Sequence, residues 1–136
     1  MASDVSMNPG VSIATIPFFT DARGQVIEPI GEPEIHAQRN CHVALTVPGA
    51  IRGNHFHRHR TEIFVVIGPA LVRLRENGVV REVTVPEGQA MRFTVPPLVS
   101  HAVQNTGPGP MLLMAFSTVP HDPSNPDTCR DILIEN

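Results

Sequence analysis

The 136-residue sequence predicts an all-β domain, an antiparallel barrel or sandwich, on three observations. Short β-branched runs recur along the chain, turn residues interrupt them at close spacing, and no stretch sustains a helical period. Regularly spaced short strands with turn signals between them suit an antiparallel sandwich or barrel.

The elements follow in order. An N-terminal arm of about residues 1–12 leads into Ser12 to Ile16, the first run. Gln25 to Ile27, His42 to Val47 and Ile63 to Ile67 come next. Ala70 to Leu74 carries Leu and Val on both faces and then alternates with Arg73 and Arg75, which predicts a strand leaving the core for solvent. Asn77-Gly78 separates it from Val79 to Val85, the strongest short hairpin signal available. Met91 to Val95, Ala102 to Val103 and Met111 to Phe116 complete the set, with turns at Pro86-Glu87-Gly88 and Thr106 to Pro110. Met91, Phe93, Met111, Leu113, Met114 and Phe116 are expected in the barrel interior or the sheet-packing core. The tail, about 119–136, holds Pro120, Pro123 and Pro126, so it is neither a regular helix nor a central strand. Ile132 to Ile134 is apolar enough to dock it as an ordered, wrapped segment.

Apolar residues make up 41 %, which excludes a disordered chain, and the length suits one domain spanning 1–136 without repeats or linkers. Net charge is −3 with no block of like charges, so nothing points to nucleic acid or an anionic membrane. No apolar run approaches the roughly 18 residues of a membrane span. Met1 to Gly10 lacks a basic start and an apolar segment, so no signal peptide is expected and the cytoplasm is the simplest location. Cys41 and Cys129 read as free thiols of a reducing compartment. All ten basic residues are Arg, and Tyr and Trp are absent, which removes one common general acid.

His55-Phe56-His57 carries the first chemical signal, because side chains two apart on a strand share a face. Glu62 follows after a gap long enough to turn into the next strand, and His101 adds a distant third element. Imidazole and carboxylate donors suit Zn first, and Ni, Fe, Mn or Co as well, with open positions for water or substrate. The metal set is therefore His55, His57, Glu62 and His101. His36, His42 and His121 are read as solvated or satisfied residues, and His59 is left in solvent beside Arg58 and Arg60.

Two motifs carry a family resemblance. Gly49, five residues, His55-x-His57, four residues, Glu62, five residues, Gly68 resembles the first cupin motif, one residue short. Gly88 to Pro96, then Leu98, His101 and Asn105, resembles the second, with Leu98 where a Gly is usual and a longer Gly88-to-Pro96 spacing. The resemblance implies a cupin-type antiparallel β-barrel, that is, a jelly roll or double-stranded β-helix, paired as a homodimer. Arg52-Gly53-Asn54-His55-Phe56-His57, Thr61-Glu62 and the tail from His121 to Thr128 resemble the metal-binding cupin domain of capsule-biosynthesis epimerase/reductases acting on UDP-linked 4-keto-6-deoxy sugars. Thr20-Asp21-Ala22-Arg23-Gly24 resembles an element of the RmlC-like deoxysugar epimerases. The reductase half and its GxxGxxG-type loop are missing from the sequence, so epimerase chemistry would need a separate reductase.

The resemblance implies a metal-dependent isomerase or epimerase acting next to a ketone on a nucleotide-linked 4-keto-deoxysugar, a small-molecule substrate. His55 matches the catalytic base of the RmlC-like enzymes and a ligand of the cupin pattern, and both roles stay open. Arg23 and Arg52 are candidate phosphate ligands, since guanidinium forks match phosphate geometry. A cupin polyketide cyclase, an Fe-dependent dioxygenase and a non-catalytic small-molecule-binding cupin are the other readings of the same cluster.

Overall fold

The computed structural model describes residues 10–136; the first nine residues of the expected arm lie outside them. Twelve strands follow: β1 (Ser12–Ile16), β2 (Phe19–Asp21), β3 (Gly24–Val26), β4 (Asn40–Thr46), β5 (Ile51–Phe56) and β6 (Glu62–Ile67). They continue with β7 (Ala70–Glu76), β8 (Val79–Val85), β9 (Ala90–Val95), β10 (Ser100–Asn105), β11 (Met111–Ser117) and β12 (Cys129–Arg130). The described residues hold one short 3-10 turn, Glu34–Ala37, and no helix long and apolar enough to cross a membrane.

One five-stranded sheet runs β1-β9-β6-β11-β4, the other β12-β5-β10-β7-β8, and β2-β3 form a separate ribbon. Every pairing is antiparallel. From β4 onward every connection except β7 to β8 crosses between the two sheets. This double-wound antiparallel barrel is the cupin-type jelly roll. The β7–β8 hairpin stays within its sheet, and Asn77 (φ 53°) and Gly78 (φ 78°) take the two left-handed positions its two-residue loop requires.

The core lies between the sheets, around Phe64 and Phe93, stacked with centroids 5.0 Å apart. Strand β6 is buried on both faces, because Ile16, Phe18 and Ile27 of the N-terminal segment cover Val65 on the outside. Burial on two faces explains why Ile63 to Ile67 is an unbroken apolar run without alternation.

Strict period-two alternation corrects several expectations. On β11, Met111, Leu113 and Ala115 point inward, whereas Met114 and Phe116 stand on the outer face and are only half-buried. Strand β7 does not leave the core: Ala70, Val72 and Leu74 are all buried. Its outer Arg73 and Arg75 hold the tail, Arg73 Nη1 donating to Leu133 O (3.0 Å) and Arg75 Nη1 to Asp131 (2.9 Å). The end of the tail is held against the barrel. Ile134 is buried at 3 % exposure, and the Asn54 side chain donates to Ile134 O (3.0 Å) and accepts from Leu133 N (2.8 Å). Cys41 and Cys129 are free thiols.

Candidate active site

The site is built around an irregularity in β5. His101 pairs with His55 and Ala102 with Gly53, which leaves Asn54 as an unpaired bulge residue. Asn54 (φ 59°) and Gly53 (φ 90°) both adopt left-handed backbone there. A Cβ on Gly53 would lie 2.6 Å from His101 O, so only glycine lets β5 and β10 approach this closely. The bulge also resets the side-chain parity. Arg52 and His55, three apart, line one cavity, while Asn54 turns outward to clasp the tail.

His55, His57, Glu62 and His101 converge, with one candidate ligand atom from each lying within 4.8 Å of the others. Glu62 Oε1 is 2.9 Å from His101 Nε2, and Oε2 is 3.8 Å from His57 Nε2. The backbone fixes the imidazoles. Nδ1 of His57 lies 2.6 Å from Asp127 O, and Nδ1 of His101 lies 3.1 Å from Val99 O. A carbonyl only accepts, so each Nδ1 donates its proton there and each ring turns its Nε2 toward the cluster. Both Nε2 atoms are buried without an aligned hydrogen-bond partner. Lone pairs facing one carboxylate in a buried spot form a donor set that a divalent cation satisfies, so the residues fit a metal.

The electrostatics agree with that donor set. Burial, and then the charges of His101 and His57, lower the His55 pKa to about 4, so its ring is neutral at pH 7. Burial and the charge of His101 also lower His57, although the bond to Asp127 O and the Glu62 charge oppose them. Burial alone would raise Glu62, but the contact with His101 and the charges of the imidazoles outweigh it and bring the carboxyl down to about 2. Glu62 is therefore an anion held beside the imidazoles.

These groups form one wall of a cavity of about 310 Å³ whose other walls come from β4, β11 and the tail. Arg52 lines it, with Nε donating to Thr46 Oγ1 at 3.1 Å. Arg23 does not. It sits at the β2–β3 turn, 90 % exposed and paired with Asp21 at 2.6 Å. Four lining residues escaped the sequence reading: His42, His121, Arg60 and Asn40. His42 and His121 are exposed, as expected for solvated residues, and also stand on the lining of this cavity. On β4 the apolar Val43 and Leu45, and Val47 just beyond its end, face outward, while the row His42, Ala44 and Thr46 lies on the cavity side, the reverse of simple patterning. His59 is exposed as expected, its backbone N–H donating to Asp127.

Barrel and His/Glu cluster together define a cupin with a candidate metal-binding active site. Residues 19–129 match the polysaccharide biosynthesis C-terminal domain family, and the chain belongs to it. It is 30 % identical over 116 residues to the UDP-2-acetamido-2,6-beta-L-arabino-hexul-4-ose reductase of Pseudomonas aeruginosa, covering 83 % of this chain and 30 % of that one. The capsular polysaccharide assembling protein CapF of Staphylococcus aureus superposes with a TM-score of 0.65 at 26 % identity, covering 87 % of this chain and 34 % of that one. A further CapF structure holds the inhibitor 3-isopropenyl-tropolone. The sugar 3,4-ketoisomerase QdtA of Thermoanaerobacterium thermosaccharolyticum, solved with TDP, superposes with a TM-score of 0.70 at 16 % identity, covering 92 % of this chain and 90 % of that one. The chain thus spans about a third of the length of the reductase and of CapF, and nearly all of QdtA.

Proposed function

We propose that the chain is a metal-dependent isomerase or epimerase that moves a proton beside the ketone of a nucleotide-linked 4-keto-deoxysugar. The convergence of His55, His57, Glu62 and His101 on one cavity, within a polysaccharide-biosynthesis domain, carries the reading. The relatives lend support, since QdtA is a sugar ketoisomerase and the Pseudomonas protein carries a UDP-linked 4-keto sugar in its name.

His57, Glu62 and His101 would hold the cation, zinc first. When bound, such an ion polarises the carbonyl as a Lewis acid. His55, neutral at pH 7, takes the α-proton, and its place at the edge of the cluster leaves it as base or fourth ligand. A cavity of about 310 Å³ is at the small end of ligand sites, enough for one sugar ring with the nucleoside outside. Arg52 meets the phosphates where the ligand leaves the cavity, and Arg23 serves only a part of the ligand beyond it. The homodimer belongs to the same proposal. Leu45 at 65 % and Val47 at 66 % exposure give β4 an apolar outer face for a second copy, and sedimentation of wild type and L45E tests it.

The decisive experiment is proton exchange in D₂O. Metal-loaded protein is incubated with UDP- and dTDP-4-keto-6-deoxyhexose while the C3 and C5 protons are followed by NMR. Exchange that disappears in His55→Ala is expected; no exchange with either sugar, metal bound, sinks the proposal.

A further inference from the structure

Two guanidiniums and five imidazoles line the cavity against a single carboxylate, Glu62, so it favours an anionic ligand. The two guanidiniums differ. Arg52 is exposed and already spends Nε on Thr46. The Arg60 side chain is only 11 % exposed, and its Nε is buried without a hydrogen bond among the described residues. Its ion-pair partner, Asp127, stands 3.6 Å away and directs its carboxylate oxygens at the N–H groups of Arg58 and His59. A buried guanidinium N–H without a hydrogen bond is costly unless a ligand uses it.

The ladders place the two arginines at opposite ends. Arg52 bonds Thr46 at the end of β4, whereas Arg60 precedes Glu62 by two residues. Asn40, at the start of β4, pairs with Ser117, which in turn pairs with Glu62. Asn40 and Thr46 lie six residues apart, about 20 Å along a strand.

We infer that Arg60 is a further catalytic residue that holds the adjacent ketone and hydroxyl oxygens of the sugar ring, giving the substrate one direction in the cavity: ring at Arg60, diphosphate at Arg52. This rests on the isomerase reading and deepens it. When His55 takes the α-proton, the C–H electron pair becomes the new C=C bond and the carbonyl π pair moves to oxygen. Arg60 donates hydrogen bonds to that oxygen and its neighbour, remaining protonated throughout. Its planar fork matches two adjacent oxygens, which an ammonium does not. The proton then returns to carbon, restoring a ketone.

Wild type, R60Q, R60K and R52Q are compared in metal-loaded form by two readouts, the D₂O exchange rate with UDP-4-keto-6-deoxyhexose and the affinity for free UDP. R60Q is expected to slow exchange about 10²–10³-fold, the usual effect of losing one donor to a developing oxyanion, with UDP affinity within about twofold. R60K falls between, and R52Q weakens UDP. Wild-type exchange rates in R60Q, or a tenfold loss of UDP affinity in it, overturn the assignment. If R60Q does not fold, R60K decides, and an unchanged exchange rate in R60K overturns it. A wild type that exchanges with no nucleotide sugar overturns the isomerase reading and this assignment with it.

Discussion

Asp127 is the point where the tail controls the candidate metal site, and replacing it yields the most informative single perturbation. Its side chain is 9 % exposed. Oδ1 accepts from Arg58 N at 2.8 Å and Oδ2 from His59 N at 2.9 Å, which locks the turn that follows His57. A hydrogen bond to a charged group contributes about 1.5–3 kcal/mol. Arg58 and His59 are exposed, so water reaches both amides once the carboxylate is gone. The lower figure for each bond then applies, and D127A should cost about 3 kcal/mol. D127N keeps one acceptor and should cost about half of that. A loss of about 3 kcal/mol is a large share of the 5–15 kcal/mol that holds a typical domain together. Urea unfolding of chelator-treated protein at pH 7 measures it.

The pH dependence gives a second check on Asp127. Burial opposes ionisation, but the two backbone N–H bonds outweigh it and hold the Asp127 pKa below the usual carboxylate range. A depressed folded-state pKa adds stability above the unfolded value, and this is lost as pH falls through the folded one. The difference between wild type and D127A should therefore be full at pH 7 and shrink below about pH 4. A difference under about 1 kcal/mol at pH 7, or one that does not vary with pH, would refute the reasoning.

Three other substitutions test the site and its frame. G53A forces a side chain onto His101 O and into a left-handed backbone, so a loss of about 3 kcal/mol and weaker metal binding are expected by urea unfolding and chelator competition. H101A should lower metal affinity by more than about 100-fold in the same competition, and full retention of metal would disqualify the cluster. L98G should stabilise the protein. Leu98 is 65 % exposed at φ 71°, where a side chain costs about 1–2 kcal/mol, so even after the unfolded-state entropy of glycine the melting temperature should rise by about 2 °C. A fall in melting temperature would show that the Leu98 side chain contributes more than its exposure implies.

The sequence by itself determined the strand content, the β7–β8 turn and the His55, His57, Glu62 and His101 set. These depend on local chemistry: Asn-Gly prefers left-handed backbone, and the His-x-His spacing keeps two imidazoles close, although His57 lies just past the end of β5, where Asp127 O holds its ring. Only the tertiary structure decided which face of β4 looks inward, because that depends on what covers each side. Val43, Leu45 and Val47 look like core and are exposed, while His42, exposed as its chemistry suggests, stands on the cavity lining. The bulge at Asn54 was equally hidden, since it exists only in the pairing of β5 with β10. Arg60 gave no local signal; what singles it out is a buried Nε that makes an ion pair but no hydrogen bond, the product of a loop, a tail and a strand meeting from distant parts of the chain. Arg73, Arg75 and Asp127 show the same limit. Their sequence neighbours permit a solvated charge, and the docking of the tail, more than 50 residues away, converts them into its anchors.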